Sequence, residues 1–222
     1  MQNITFDRST KTLSIKGYQV EDYVAMTEAQ MYDGGTQYKN KCQSDLMYFL
    51  PKADYNGDYV GTSKGSAYPA DFHHALALVM FNVNAQTSED IDYIRLRGIV
   101  LSDIVSAGNL SVQAGRTREG TVTWTLSDGA MRKPMQVLYN SSPYGGMKLS
   151  TQQRKVVEFL TIPIGEHDIK ITYSLIVNGT PHEETVTFKD QWEAGKKYTY
   201  NLTLGTDFID LVPDVDEWTV NE

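Results

Sequence analysis

From about Phe72 onward, apolar and polar residues repeat with the period of two that half-buried β-strands require. Residues Thr121–Leu126 set Val122, Trp124 and Leu126 against three threonines. Residues 167–177 place Ile169, Ile171, Tyr173, Leu175 and Val177 on one face, with Lys170, Thr172 and Ser174 on the other. Residues 93–100, 184–189 and 197–204 alternate in the same way, the last with Tyr198, Tyr200, Leu202 and Leu204 on one side. Residues 72–83 and 156–164 are apolar on both faces, which suits strands buried on both sides. Asn178-Gly179 between two of these runs predicts a tight hairpin.

Seven strands without a strong helical period predict a mainly β fold, a Greek-key β-sandwich over residues 72–205. Residues 107–120 and 128–151, the latter holding Pro134, Pro143, Gly145 and Gly146, read as long loops. Residues 1–71 read as a short, reduced N-terminal region. It has short strands at 4–6, 12–16 and 46–50, a helical spacing over 20–31, and a Gly/Ser/Tyr loop at 55–69. Residues 206–222 form a tail too apolar for a solvated coil, with Phe208, Ile209, Leu211, Val212, Val215, Trp218 and Val220. It is expected either to fold back as an edge strand on residues 1–71 or to add to an open sheet edge of another copy.

Composition narrows the function classes. Net charge is −8 and the pI is about 5.0, which argues against nucleic acid or an anionic membrane surface as partner. Cys42 stands alone, so no internal disulfide forms, and a small buried residue is the expectation for it. The first residues lack the basic start and apolar run of a signal peptide, and no stretch reaches the length of a membrane span. The expectation is a chain that does not span a membrane, either cytoplasmic or with its leader removed.

No nucleophile elbow, metalloprotease helix, phosphate loop or dinucleotide fingerprint occurs, so no enzyme, no catalytic residue and no cofactor are expected. Asp54, Asn56 and Asp58 begin like a calcium loop and are at best a weak calcium site. Tyr59 stands where the loop's glycine belongs and Gly65 where its bidentate glutamate belongs, so a turn is the expectation. His73 and His74 are adjacent, and on a strand they point to opposite faces, one satisfied in the core and one toward solvent. Tyr55, Tyr59, Tyr68, Tyr139 and Tyr144 lie in predicted loops, where they either cover the sandwich ends or stack on a ligand.

Four segments carry a resemblance. Phe72-His73-His74-Ala75-Leu76-Ala77-Leu78-Val79 resembles the F-x-H-A-L-A-x-V strand of the fimbrillin-like proteins of Bacteroides-type bacteria, with His74 at the histidine position. Ile94-x-Leu96-x-Gly98-Ile99 is similar to the family's next strand. The run from Trp192 through Ala194-Gly195-Lys196 to Tyr198 and Tyr200 resembles its final strand, and Val215-Asp216-Glu217-Trp218 its closing V-x-x-W. All four occur in the family's order. The resemblance implies transthyretin-like β-sandwiches, export by a lipoprotein route with a lipid-anchored precursor, and display at the outer membrane. It also implies polymerisation into pili by donor-strand exchange, after an arginine-specific protease removes the first strand. The partners are then other pilus subunits or the chain itself, by strand addition; a host glycan or protein is the other partner considered. Phe208, Ile209, Leu211, Val215, Trp218 and Val220 are the expected subunit contacts. The N-terminal part is shorter than the family's first domain, no lipidation cysteine precedes it, and Arg8 is the one arginine in the first ninety residues. A non-polymerising surface module that binds carbohydrate or protein is the alternative.

Overall fold

The structure is a computed structural model that describes residues 3–21, 43–50, 71–115, 120–206 and 209–219. Among these residues the chain is almost wholly β, with one helical turn, α1 (Asp90–Tyr93). One sheet has the order β1 (Asn3–Asp7), β2 (Thr12–Gln19), β7 (Ala107–Gln113), β8 (Thr121–Leu126). A second runs β10 (Met147–Lys148), β6 (Ile94–Val105), β12 (Glu166–Val177), β13 (Thr180–Gln191), with β9 (Arg132–Tyr139) also on β6. A third runs β11 (Arg154–Thr161), β5 (Ala77–Ala85), β14 (Lys196–Leu204), β15 (Ile209–Glu217). β3 (Met47–Tyr48) and β4 (His73–His74) make a short ladder of their own.

The second and third sheets close as a β-sandwich over one apolar core. Phe81, Val83, Leu101, Ile171, Trp192, Tyr200 and Leu202 are buried there. The alternation along β5 and β14 does this: every second residue is buried and the residues between are half-buried. A second, smaller core joins the first sheet to the β3–β4 ladder through Ile15, Tyr18, Tyr48, Leu76, Leu110 and Val112.

The strand β6 belongs to both cores. Leu101 lies in the first and Val105 in the second. Between them Asp103 takes φ 54° where the β6–β9 register shifts, a bulge that turns the strand. The β12–β13 hairpin has the two-residue turn expected, with Asn178 and Gly179 at φ 50° and 76°.

Several expectations are corrected. Residues 72–83 are not one strand buried on both faces. The run breaks after His74. Ala75 and Leu76 enter the second core and Ala77 opens β5 in the first, so it is apolar throughout because the chain crosses between cores. The loop expected at 107–120 contains β7. Its outward positions carry Asn109 and Ser111, which resemble turn residues, but Leu110 and Val112 alternate inward. The loop expected at 128–151 contains β9 and β10. Pro134 is tolerated because β9 has a single neighbour, β6, and an edge strand can spare one donor. β8 was expected in the sandwich over 72–205; it pairs instead with β7 in the sheet that begins with β1 and β2. The helical spacing over 20–31 falls almost entirely outside the described residues.

Candidate interaction site

Two strands near opposite ends of the chain present open sheet edges. β1 has one neighbour, β2, in an unbroken antiparallel register from Asn3↔Lys16 to Asp7↔Thr12. All five of its residues are exposed, Ile4 at 61% and Phe6 at 41%. The following turn is built on Asp7. Its Oδ1 accepts the Ser9 hydroxyl at 2.7 Å and the Ser9 N–H at 2.8 Å. These bonds hold the Asp7 carboxyl down to about 2. Arg8 sits exposed in this turn.

β15 is the second open edge. It pairs with β14 in an unbroken register from Lys196↔Glu217 to Leu204↔Ile209, so the tail's partner is the last strand of its own sandwich rather than residues 1–71. Ile209 and Leu211 pack on the first core, while Val212 and Val215 are half exposed on the outside. Pro213 in this strand, like Pro181 in the edge strand β13, blunts an edge that would otherwise template aggregation.

The end of β15 is clamped. The Trp218 ring stacks on His74 at 3.5 Å between centroids and 6° between planes. Its backbone N–H donates to Gly195 O at 2.9 Å. His74 is buried, and its Nδ1 meets Asp45 Oδ2 at 2.6 Å. Gly195 adopts φ +75°, where a side chain would be strained, and donates its own N–H to Leu76 O at 2.9 Å. The histidine of the first motif, the glycine of the third and the tryptophan of the last therefore meet at one point. Each motif was legible in the sequence; that they touch was not.

A second aromatic cluster is wholly internal. Trp192 stacks on His167 at 4.6 Å and donates Nε1–H to the Tyr200 hydroxyl at 2.8 Å, which in turn donates to Asp190 Oδ2 at 2.5 Å. Burial and the Asp190 hydrogen bond push the Tyr200 phenol well up. Burial pushes the His167 imidazole down from its ordinary value. Trp192, His167 and Tyr200 are buried, and their role is packing.

Of the predicted contacts, Ile209, Leu211, Val215 and Trp218 share β15 and its end; Phe208 and Val220 lie outside the described residues. Asp54, Asn56, Asp58, Cys42, Tyr55, Tyr59 and Tyr68 also lie outside them. Tyr139 closes β9 rather than sitting in a loop, and Tyr144 is in a loop; both are about half exposed. His73 is not turned to solvent as expected. It is half-buried and faces Tyr48 at 5.5 Å. Among the described residues no cluster of His, Cys, Asp and Glu has the arrangement of a metal site, and no helix is long and apolar enough to cross a membrane.

Comparison with known proteins gives the fold a family. The solved structure of a fimbrial protein from Bacteroides vulgatus superposes with a TM-score of 0.58 at 13% identity, over 98% of this chain and 72% of that one. A candidate cell adhesion protein from Bacteroides uniformis aligns at 14% identity over 96% and 76% of the two chains, with a TM-score of 0.43. Another from Bacteroides eggerthii aligns at 12% identity over 93% and 77%, with a TM-score of 0.46. No curated protein sequence matches. The sequence model of one family, described as fimbrillin-like, matches residues 2–221, nearly the whole length, and the chain belongs to the fimbrillin-like family.

Proposed function

We propose that this chain is a non-enzymatic cell-surface structural or adhesive protein of the pilus-subunit kind, which joins other subunits or further copies of itself by β-strand complementation. The family membership supports the role, and one observation supports the mechanism. The chain carries an exposed first strand held by a single neighbour, and a nine-residue edge strand near its other end. Loss of β1 would open the β2 edge over the second core. β15 from another copy has the length to cover it. In this reading residues 72–205, with the small N-terminal region 1–71, are the body, and residues 206–222 are the segment that changes partners. The precursor is exported, lipid-anchored and displayed at the outer membrane; a lipoprotein leader in the reading frame upstream of Met1 is the observation that would support this.

The test removes residues 1–8 and follows assembly by size-exclusion chromatography and negative-stain microscopy. The shortened chain is expected to form multimers. The same chain lacking residues 206–222 is expected to remain monomeric. If the doubly shortened chain assembles as well, the donor role of the tail is refuted.

A second reading is favoured by the pairing of β15 with β14. A tail already seated in its own sheet must give up that ladder before it can serve another copy. A chain that keeps it is a non-polymerising surface module that binds carbohydrate or protein.

A further inference from the structure

A cleft of about 810 Å³ opens beside the Trp218 clamp, at the seam between the two cores. That is the size range of small-ligand sites, which favour such seams. Its walls combine aromatic faces with polar groups. Phe72 is 45% exposed, and Trp124 and Trp218 are half-buried. Trp124 is held rigid: its Nε1–H donates to Ala75 O at 2.7 Å, and its ring lies over Gly108, where a Cβ would come within 2.9 Å of it. Trp218 is fixed from one side by His74. These are platforms whose orientation is set before any ligand arrives.

Gln191, Glu193 and Glu217, all exposed, line the same cleft. Lys196 also reaches the cleft but is already engaged by Glu217. The wall therefore carries an excess of carboxylate, which disfavours an anionic ligand. A purely apolar ligand would strand these polar groups. At the cleft wall, the Nε2 atoms of His73 and His74 are buried without a hydrogen-bond partner among the described residues. His74 is only 7% exposed, and its Nδ1 meets Asp45 Oδ2 at 2.6 Å. Both Nε2 atoms are closed to solvent, so the polar partners a ligand meets in the cleft are the exposed Gln191, Glu193 and Glu217.

We propose that this cleft is a binding site for a neutral saccharide, seated on the Trp124 and Phe72 rings and held by hydrogen bonds to Gln191, Glu193 and Glu217. Aromatic faces take the C–H face of a sugar ring, and carboxylate and amide oxygens take its hydroxyls. The proposal deepens the second reading above, in which β15 keeps its place on β14.

The full chain would be screened on an array of neutral and sialylated glycans. Binding of the best neutral oligosaccharide would then be followed by tryptophan fluorescence in the parent, Phe72→Ala and Glu193→Gln. Both substitutions are at exposed positions and leave the cores intact. Capture of neutral glycans and a loss of tenfold or more in affinity in each variant are expected. Binding unchanged in both variants keeps the chain a binding module but overturns this site. Capture of sialylated glycans alone, or of no glycan, also overturns it.

Discussion

Replacing Trp218 by alanine tests whether the aromatic clamp, rather than the β14–β15 ladder or its charged pairs, holds the tail. A fully buried tryptophan removes roughly 200 Å² from water, about 5 kcal/mol at 25 cal/mol per Å². Trp218 is half-buried, and alanine keeps the Cβ, so the loss of burial is about 2 kcal/mol. The parallel stack on His74 at 3.5 Å adds about 0.5–1 kcal/mol. The Lys196–Glu217 and Lys197–Asp216 pairs remain in the variant, but at an exposed edge they contribute little. The expected total is therefore about 2–3 kcal/mol, below the range for a core tryptophan. In a protein of this size that lowers Tm by roughly 5–10 °C. The loss should be local first. Amide exchange in residues 211–217 should quicken before that of β5 or β12, because an edge strand opens without the rest. Urea unfolding and hydrogen exchange measure both quantities. A stability loss under about 0.5 kcal/mol, with unchanged exchange in β15, would show that the stack does not anchor the tail.

Two further predictions follow from buried or strained positions. His167 has its pKa depressed by burial, so as pH falls below about 6.5 the unfolded chain takes up a proton that the folded chain refuses. Stability should fall by up to about 1.4 kcal/mol per pH unit below that point until the folded ring itself titrates. Guanidinium unfolding of the parent and of His167→Leu between pH 7.5 and 5 should show a shallower decline in the variant; equal slopes would assign the acid sensitivity to other groups. At the β12–β13 turn, Gly179 has φ +76° and open space where a Cβ would go, so Gly179→Ala costs backbone strain alone, about 1–2 kcal/mol. Gly179→Asn, which tolerates this conformation, should cost less in thermal melts, and equal losses would mean the turn is not the cause.

β8 and β12 were legible because apolar residues alternate there with threonine and lysine, and β5 and β11 because they are apolar runs of strand length. β7 escaped because Gly108, Asn109 and Ser111 carry a turn-like composition. Yet Gly108 is there for packing, since the Trp124 ring leaves no room for a side chain. That contact lies between two strands and has no local signature. β9 escaped because Pro134 forbids a central strand, and only the sheet order reveals that β9 is an edge.

Which strands pair was hidden for a related reason. β5 runs parallel to β14, and β2 is joined to β7; such partners are chosen by shape across the whole fold, not by neighbouring residues. The same limit applies to function. His74, Gly195 and Trp218 were each legible as parts of motifs, yet only the fold shows that they form one clamp on the tail. The proposed saccharide cleft draws its walls from β3, β4, β8, Pro163, the stretch from the end of β13 to the start of β14, and the end of β15, segments with no common motif. This bears on the tail itself. Because Trp218 belongs both to the clamp and to the cleft wall, a tail that left β14 for another copy would take part of the cleft with it. Strand exchange and saccharide binding at this seam therefore compete, and assembled subunits should bind neutral glycans more weakly than the monomer does.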